Sequence, residues 1–460
     1  MKRTYTPWQD WKHPSKQTEY TEPTTLLAED GTLLSPGWAR HNVFDYDRDR
    51  VKKLIHRKEW DFYQLSDGHY MVQLSFANIT LGGYVNAVLV DLKEGKVISN
   101  TMDIFLGGKD KYVLPPKGDV PNTVEMTIGK AHFKFLTGST YRYLQYERGD
   151  VKLDFQMDIL EDHENITTVL PFKGRKYKDR YFMTTKQNCM PTEGTFQVGK
   201  DTYTFSKDTC FTNLDWGRVC TPYKLCWYWG NGSTWLKGDD GKDHLFGFEI
   251  TWAIGDESNA TETCIFYDGK AHKFGAVDVE TFPKPDKYME PWHFVSEDGR
   301  FDMTMKPFYD HHSDLNVLVM RMHSHQVHGL WSGTATLDDG TVLHIEDMYA
   351  FCVYVENRWY IATEHAKIAL PSSGRAFLVF SRSTSQAFSE TVKPVTRKSL
   401  FAMAILTCFS SFGSFSRTFA ELEARSSSAQ APSMRLTAFS TLRTQFSQCM
   451  PSMDTSAMYG

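Results

Sequence analysis

Alternation of apolar and polar residues is the strongest pattern in the chain. After Asp67-Gly68 the run HYMVQLSFANI puts Tyr70, Val72, Leu74 and Phe76 on one face of an extended strand. After Asp339-Gly340 the run TVLHIED puts Leu343 and Ile345 on one face, His344 and Glu346 on the other. KLCWYWGNG, at 224–232, alternates as well. Leu225, Trp227 and Trp229 share a face, and Cys226 and Tyr228 take the opposite one. Asp-Gly pairs at 30–31, 67–68, 240–241, 268–269, 298–299 and 339–340 mark tight hairpins, because both residue types tolerate positive φ. Helical periodicity is scarce. The stretch that carries it best is DRDRVKKLIHRKEW at 47–60, which is short and mostly charged. The pattern predicts an all-β protein with two antiparallel barrel- or sandwich-like halves and few helices. The halves are expected over 22–190 and 191–365.

Composition changes this picture in two places. The chain has 460 residues, too many for one small core. Aromatics make up 14%, which calls for large flat side chains in a core or around a pocket. Beyond about residue 371 no Trp occurs and serine is abundant, so 371–460 reads as a Ser-rich tail, disordered or mistranslated. Net charge is -5 with the basic residues dispersed, which argues against a nucleic-acid partner. The start, MKRTYTPWQDWKHP, has no apolar run of secretory type, and no stretch is apolar enough to span a bilayer as a helix. A cytoplasmic protein without stable membrane insertion is expected, its eight cysteines free thiols. Composition leaves the oligomeric state open.

The candidate chemistry centres on NLDWGRVCTPYKLCWYWGNG, 213–232. Trp216, Trp227 and Trp229 either fill a barrel or line a cavity for an apolar ligand. Asp215 and Arg218 either clamp a turn or form a polar anchor that stabilises developing charge. His323 and His325 share a strand face while His328 takes the other. A third metal ligand would have to come from elsewhere, such as Glu346 or Asp347, so the expectation is strand histidines and no metal. No G-x-S-x-G, Walker-type, G-x-G-x-x-G or H-E-x-x-H motif occurs, and no cofactor is expected.

A series of blocks follows in fixed order: GWAR (37–40), KEWDFYQL (58–65), KQNCMPTEG (186–194), LDWGR (214–218), WYWG (227–230), ATETCIFYDGKAHK (260–273), EPWHF (290–294), GRFDMTMKP (299–307) and HQVHGLWSG (325–333). Together they resemble the domain-of-unknown-function family numbered 2804, over roughly 22–360. That family is in turn similar to the lipocalin-like clan of carotenoid hydratases, tocopherol cyclases and fungal pericyclases. The resemblance implies two lipocalin-like halves with a ligand site inside a barrel or between them. It marks Trp38, Arg40, Trp60, Asp61, Asp215, Trp216, Arg218, Trp229, Trp292, Gln326, Gly329 and Gly333 as the family's polar, aromatic and glycine positions. Val219, Thr263 and Cys352 depart from the pattern, where Gly, Asn and an acid are usual.

The expected function is binding of a largely apolar small molecule in an aromatic-lined cavity, with Trp38, Arg40, Trp216, Trp227, Trp229 and Gln326 as ligand contacts. Any chemistry would be of a cofactor-free cyclase, isomerase or hydratase kind, with Asp215 as acid and Arg218 as its electrostatic partner. A non-catalytic lipid carrier or sensor, a carbohydrate-binding or carbohydrate-processing β-protein, and a purely structural role are the alternatives.

Overall fold

The computed structural model describes residues 15–359, apart from 108–109, 239, 280–286 and 318–319. The Ser-rich tail expected at 371–460 lies outside the described residues. The strands of the N-terminal part are β1 (Thr24–Thr25), β2 (Gly37–Ala39), β3 (Phe44–Asp45), β4 (Arg57–Ser66), β5 (Tyr70–Asn78), β6 (Gly82–Asp91), β7 (Lys96–Leu106), β8 (Asn122–Ile128), β9 (Ala131–Thr137), β10 (Tyr141–Arg148), β11 (Val151–Asp158), β12 (Ile166–Pro171), β13 (Tyr181–Val198), β14 (Asp201–Phe205) and β15 (Phe211–Cys220). Those of the C-terminal part are β16 (Lys224–Lys237), β17 (Asp243–Trp252), β18 (Cys264–Tyr267), β19 (Lys270–Lys273), β20 (Val277–Val279), β21 (Trp292–Ser296), β22 (Phe301–Val317), β23 (Met320–Thr336) and β24 (Val342–Trp359).

The all-β expectation holds. The first large sheet runs β7-β6-β5-β4-β15-β13-β11-β10-β9-β8, with β12, β2 and β14 attached through β13 and β12. The second runs β19-β18-β17-β16-β24-β23-β22-β21-β20. The first curls on itself: Asp103 of β7 accepts from the backbone N–H of Lys130, at 3.3 Å, and from Arg148 of β10. It encloses Tyr63, Leu74, Phe76, Phe133, Phe155 and Trp216. The second encloses Tyr228, Phe248, Trp252, Trp292, Phe294 and Trp331. Among the described residues no helix is long and apolar enough to cross a membrane.

All six Asp-Gly pairs place their glycine at positive φ. Five of them join sequential antiparallel strands: β4–β5, β16–β17, β18–β19, β21–β22 and β23–β24. The stretch 47–60, which carries the best helical periodicity, forms no α-helix. Two single 3₁₀ turns, Arg48–Arg50 and Leu54–His56, lead straight into β4. Neither turn buries a residue, so no apolar stripe holds a helix against the core. A division at 190/191 falls inside β13, whereas the chain passes from the first sheet to the second between Cys220 and Lys224. The long strand β13 is bulged between Gln187 and Met190, with Cys189 at φ 59, and one sheet carries it on both sides of the bulge.

The two sheets pack against each other through that bulge. Asn188 donates to the Phe248 carbonyl at 2.9 Å, and the Cys189 N–H donates to Ser233 Oγ at 3.1 Å. A Cβ on Gly247 would sit 2.4 Å from Cys189 Sγ, so the approach of β13 to β17 needs a glycine there.

Candidate functional site

Strand parity sorts the candidate residues. On β15, Trp216 and Arg218 point into the first sheet's core, and Asp215, Gly217 and Val219 point to the layer between the sheets. Residues three apart on a strand face opposite ways, so Asp215 and Arg218 do not pair. Arg218 bonds Asp61 at 3.0 Å. Its other N–H groups go to the Pro115, Trp60 and Gly217 carbonyls, at 2.8 to 3.1 Å. Its guanidinium lies 4.2 Å from the Trp216 ring centroid. Five satisfied donors and no exposure make it a sealed plug at the wall of the first core. Burial raises the Asp61 carboxyl, against the pull of Arg218.

Asp215 faces a partner that sequence reasoning did not name. Lys186 of β13 sits opposite it in register and bonds it at 3.1 Å. The same ammonium lies 3.7 Å from Glu249 of β17 and 3.9 Å from Glu262 in the β17–β18 connection. Glu249 and Glu262 are fully buried, Lys186 nearly so, and the Asp215 side chain keeps 16% exposure at the rim. Glu249 also accepts from Asn231 at 2.7 Å and from Thr251 at 3.1 Å, and Glu262 accepts from Thr184.

Three carboxyls thus share one ammonium out of water. Burial pushes Glu249 up to about 8, against the pull of Lys186, with neighbouring Glu262 adding to the rise. Burial raises Glu262 as well. For Lys186 burial works downward, but the three carboxyls reverse it and hold the ammonium well above its ordinary range. At neutral pH the arrangement therefore keeps a protonated carboxylic acid beside a fixed cation, the pairing that general acid chemistry needs.

Aromatic rings wall this cluster. Lys186 Nζ lies 4.6 Å from the Trp229 ring centroid. Trp229 packs edge-on to Phe62 at 6.0 Å and to Phe351 at 5.0 Å, and its indole N–H has no hydrogen-bond partner among the described residues. The alternation expected in KLCWYWGNG holds. Tyr228 faces the second core with Cys226 packed against it, and Leu225, Trp227 and Trp229 face the first sheet. Gln326, on the same layer, donates to Gln64 at 2.8 Å and accepts from Gln73 at 3.0 Å. Next to the cluster a cleft of about 30 Å³ is lined by Gln64, Asn213, Asn231, Ser233, Tyr349 and Phe351 among others. That is room for about one water.

Trp38 and Arg40 occupy another part of the inter-sheet layer. Arg40 bonds Glu19 at 3.0 Å, Glu164 at 2.9 Å and the Ala271 carbonyl at 2.6 Å. The Trp38 ring lies 5.3 Å from Lys273 Nζ, an amine that burial lowers to about 8. The structure therefore brings together Asp215 and Trp229, through Lys186, and leaves Trp216 and Arg218 on the far side of the first sheet. Among the departures, Thr263 bonds the Phe274 carbonyl at 2.7 Å, Val219 is buried between the sheets, and Cys352 is buried in the second core.

Lys186, Glu249 and Glu262 were missed for a physical reason. In FGFEITW the glutamate takes the polar turn of an alternating strand, which reads as solvent-facing. The other sheet covers that face. The available signal was positional: Lys186 opens KQNCMPTEG and Glu262 lies within ATETC, both blocks of the family series.

The family model described as "Domain of unknown function (DUF2804)" matches residues 17–359. Among solved structures, CghA is similar at 9% identity and a TM-score of 0.44, covering 74% of this chain and 97% of that one. Kievitone hydratase from Nectria haematococca is similar at 10% identity and a TM-score of 0.38, covering 66% of this chain and 88% of that one. No curated protein matches the chain.

Proposed function

The chain belongs to the DUF2804 family, and from that premise we propose that it binds a largely apolar small molecule between its two sheets and transfers protons to it without a cofactor. The observation that carries this reading is the trio of carboxyls around Lys186, roofed by Trp229. Glu249, protonated near neutral pH, is the proton donor. Its proton would add to an electron-rich carbon of the ligand. The cation so formed would be balanced by the carboxylate that Glu249 becomes, by the neighbouring Asp215 carboxyl and by the ring faces of Trp229 and Phe62. Loss of a carbon-bound proton to Asp215 then completes an isomerisation or cyclisation, and addition of water with loss of one of its protons to Asp215 completes a hydration. The cytoplasmic setting expected from the sequence belongs to this proposal. Whether the ligand leaves changed separates an enzyme from a lipid carrier.

A second reading is favoured by the cleft of about 30 Å³, which is too small for such a ligand unless the layer opens. In it the cluster only fastens the two sheets together. Native mass spectrometry of the purified full-length chain, followed by organic extraction, distinguishes the two. A released apolar molecule, with Trp fluorescence quenched on rebinding, supports the proposal. Asp215→Asn should then keep binding and lose turnover by about 10²-fold or more. If no molecule is extracted, and added anilinonaphthalene sulfonate and prenyl alcohols leave the Trp emission unchanged, the layer is a fastening only.

A further inference from the structure

The hairpin of β22 and β23 carries a side-chain cluster that this reading does not use. Its register sets His312 directly opposite His325 and Asp314 directly opposite His323. All four residues share one face, together with Asp310. The ring nitrogens of His312, His323 and His325 offer one atom each within 4.8 Å of one another. Tyr288 stacks on His325 at 3.6 Å and covers the cluster from the side of the second core. Gln326, the next residue along β23, faces the inter-sheet layer, so the cluster and the Lys186 carboxyls lie on opposite faces of the second sheet.

We propose that His312, His323 and His325 bind a divalent first-row transition cation of the zinc class. Each ring already has the carboxylate support that metal-bound histidines use. Asp310 bonds His325 Nδ1 at 2.7 Å, and Asp314 bonds His323 Nδ1 at 2.6 Å. That contact leaves Nε2 of each ring for the metal. Asp314 also reaches His312 Nε2 at 3.0 Å, which leaves Nδ1 of that ring. Glu356, opposite His323 on β24, adds a third carboxyl nearby.

Imidazole ligands ringed by carboxylates favour a dication and suit zinc, cobalt, nickel or copper rather than magnesium or calcium. Ligands at about 2.0–2.1 Å from zinc in a tetrahedron lie roughly 3.4 Å apart. The three nitrogens must therefore close by up to about 1.4 Å. His312, whose ring stacks on His325 at 4.2 Å, has the most exposed side chain of the three, at 43%, and is the one with room to turn. Three protein ligands leave the fourth position to solvent or to a small anion, as in exchangeable rather than closed sites.

The test uses the full chain without a histidine tag, stripped with a chelator and titrated with Co²⁺ by absorption and with Zn²⁺ by calorimetry. One saturable equivalent with tetrahedral Co²⁺ absorption is expected. His312→Gln and His323→Ala should each weaken binding by about 100-fold, and Asp314→Asn by about 10–100-fold. Circular dichroism identical to the parent shows that the variants fold. Should His323→Ala misfold, the exposed His312→Gln carries the test. Absence of saturable binding, or affinity unchanged in His312→Gln, overturns the proposal.

Discussion

At the residue scale the informative group is Glu249. Its ordinary value is 4.5, and in the fold burial holds it at about 8. Between those values the folded protein keeps a proton that the unfolded chain releases. Its contribution to stability is therefore full below about pH 4.5 and lost as pH rises through about 8, with a slope of up to about 1.4 kcal/mol per pH unit. Urea midpoints measured from about pH 5 to 8 should fall, and Glu249→Gln should flatten the curve. A midpoint that climbs over that window would contradict the assignment. Lys186→Met leaves Asp215 and Glu262 without their cation and should cost about 3–5 kcal/mol, read as a lower urea midpoint. Of this cluster only Asp215 stood out in the sequence. Its carboxylate is recognisable anywhere, whereas its partner comes from a strand that is adjacent in the sheet and distant in sequence.

At the scale of elements, alternation was enough to assign the faces of the side chains in β5, in 225–229 of β16 and in the first turn-proximal residues of β24, because a strand turns its side chains over at every residue. Past the bulge at Asp347 the core face of β24 passes to Met348, Ala350 and Cys352. Hairpin positions were equally legible, since Asp-Gly pairs accept the positive φ that tight turns require. Cross-strand partners were not. The pairing of His312 with His325 depends on a register shift between Pro307 and Tyr309 that no spacing rule reveals. Nor did the pattern at 47–60 show that Val51 would reach the first core while Leu54 and Ile55 stay exposed. Close packing between strands yields a further prediction. A Cβ on Gly217 would lie 2.1 Å from the Trp60 ring. Gly217→Ala should therefore cost about 1–3 kcal/mol, seen as a lower thermal midpoint. A midpoint equal to the parent's would mean that Trp60 yields freely.

At the scale of the whole molecule, one ion cluster is built from both sheets. Lys186 and Asp215 come from the first, Glu249 and Glu262 from the second part of the chain. Parting the sheets would wet or strand these charges, so the two halves should melt together in a single calorimetric transition. Lys186→Met should lower that transition without splitting it. Two resolved transitions in the parent protein would show that the cluster does not couple the halves. The sequence by itself determined the all-β class, the hairpins, the faces of residues in unbulged stretches of strand and the family. These rest on local backbone chemistry and on side-chain order along one strand. Only the tertiary structure decided which polar face is covered by another sheet. Burial is what turns a surface glutamate into a proton-holding acid and a surface lysine into its buried counter-charge, and burial belongs to pairs of elements, not to either strand alone.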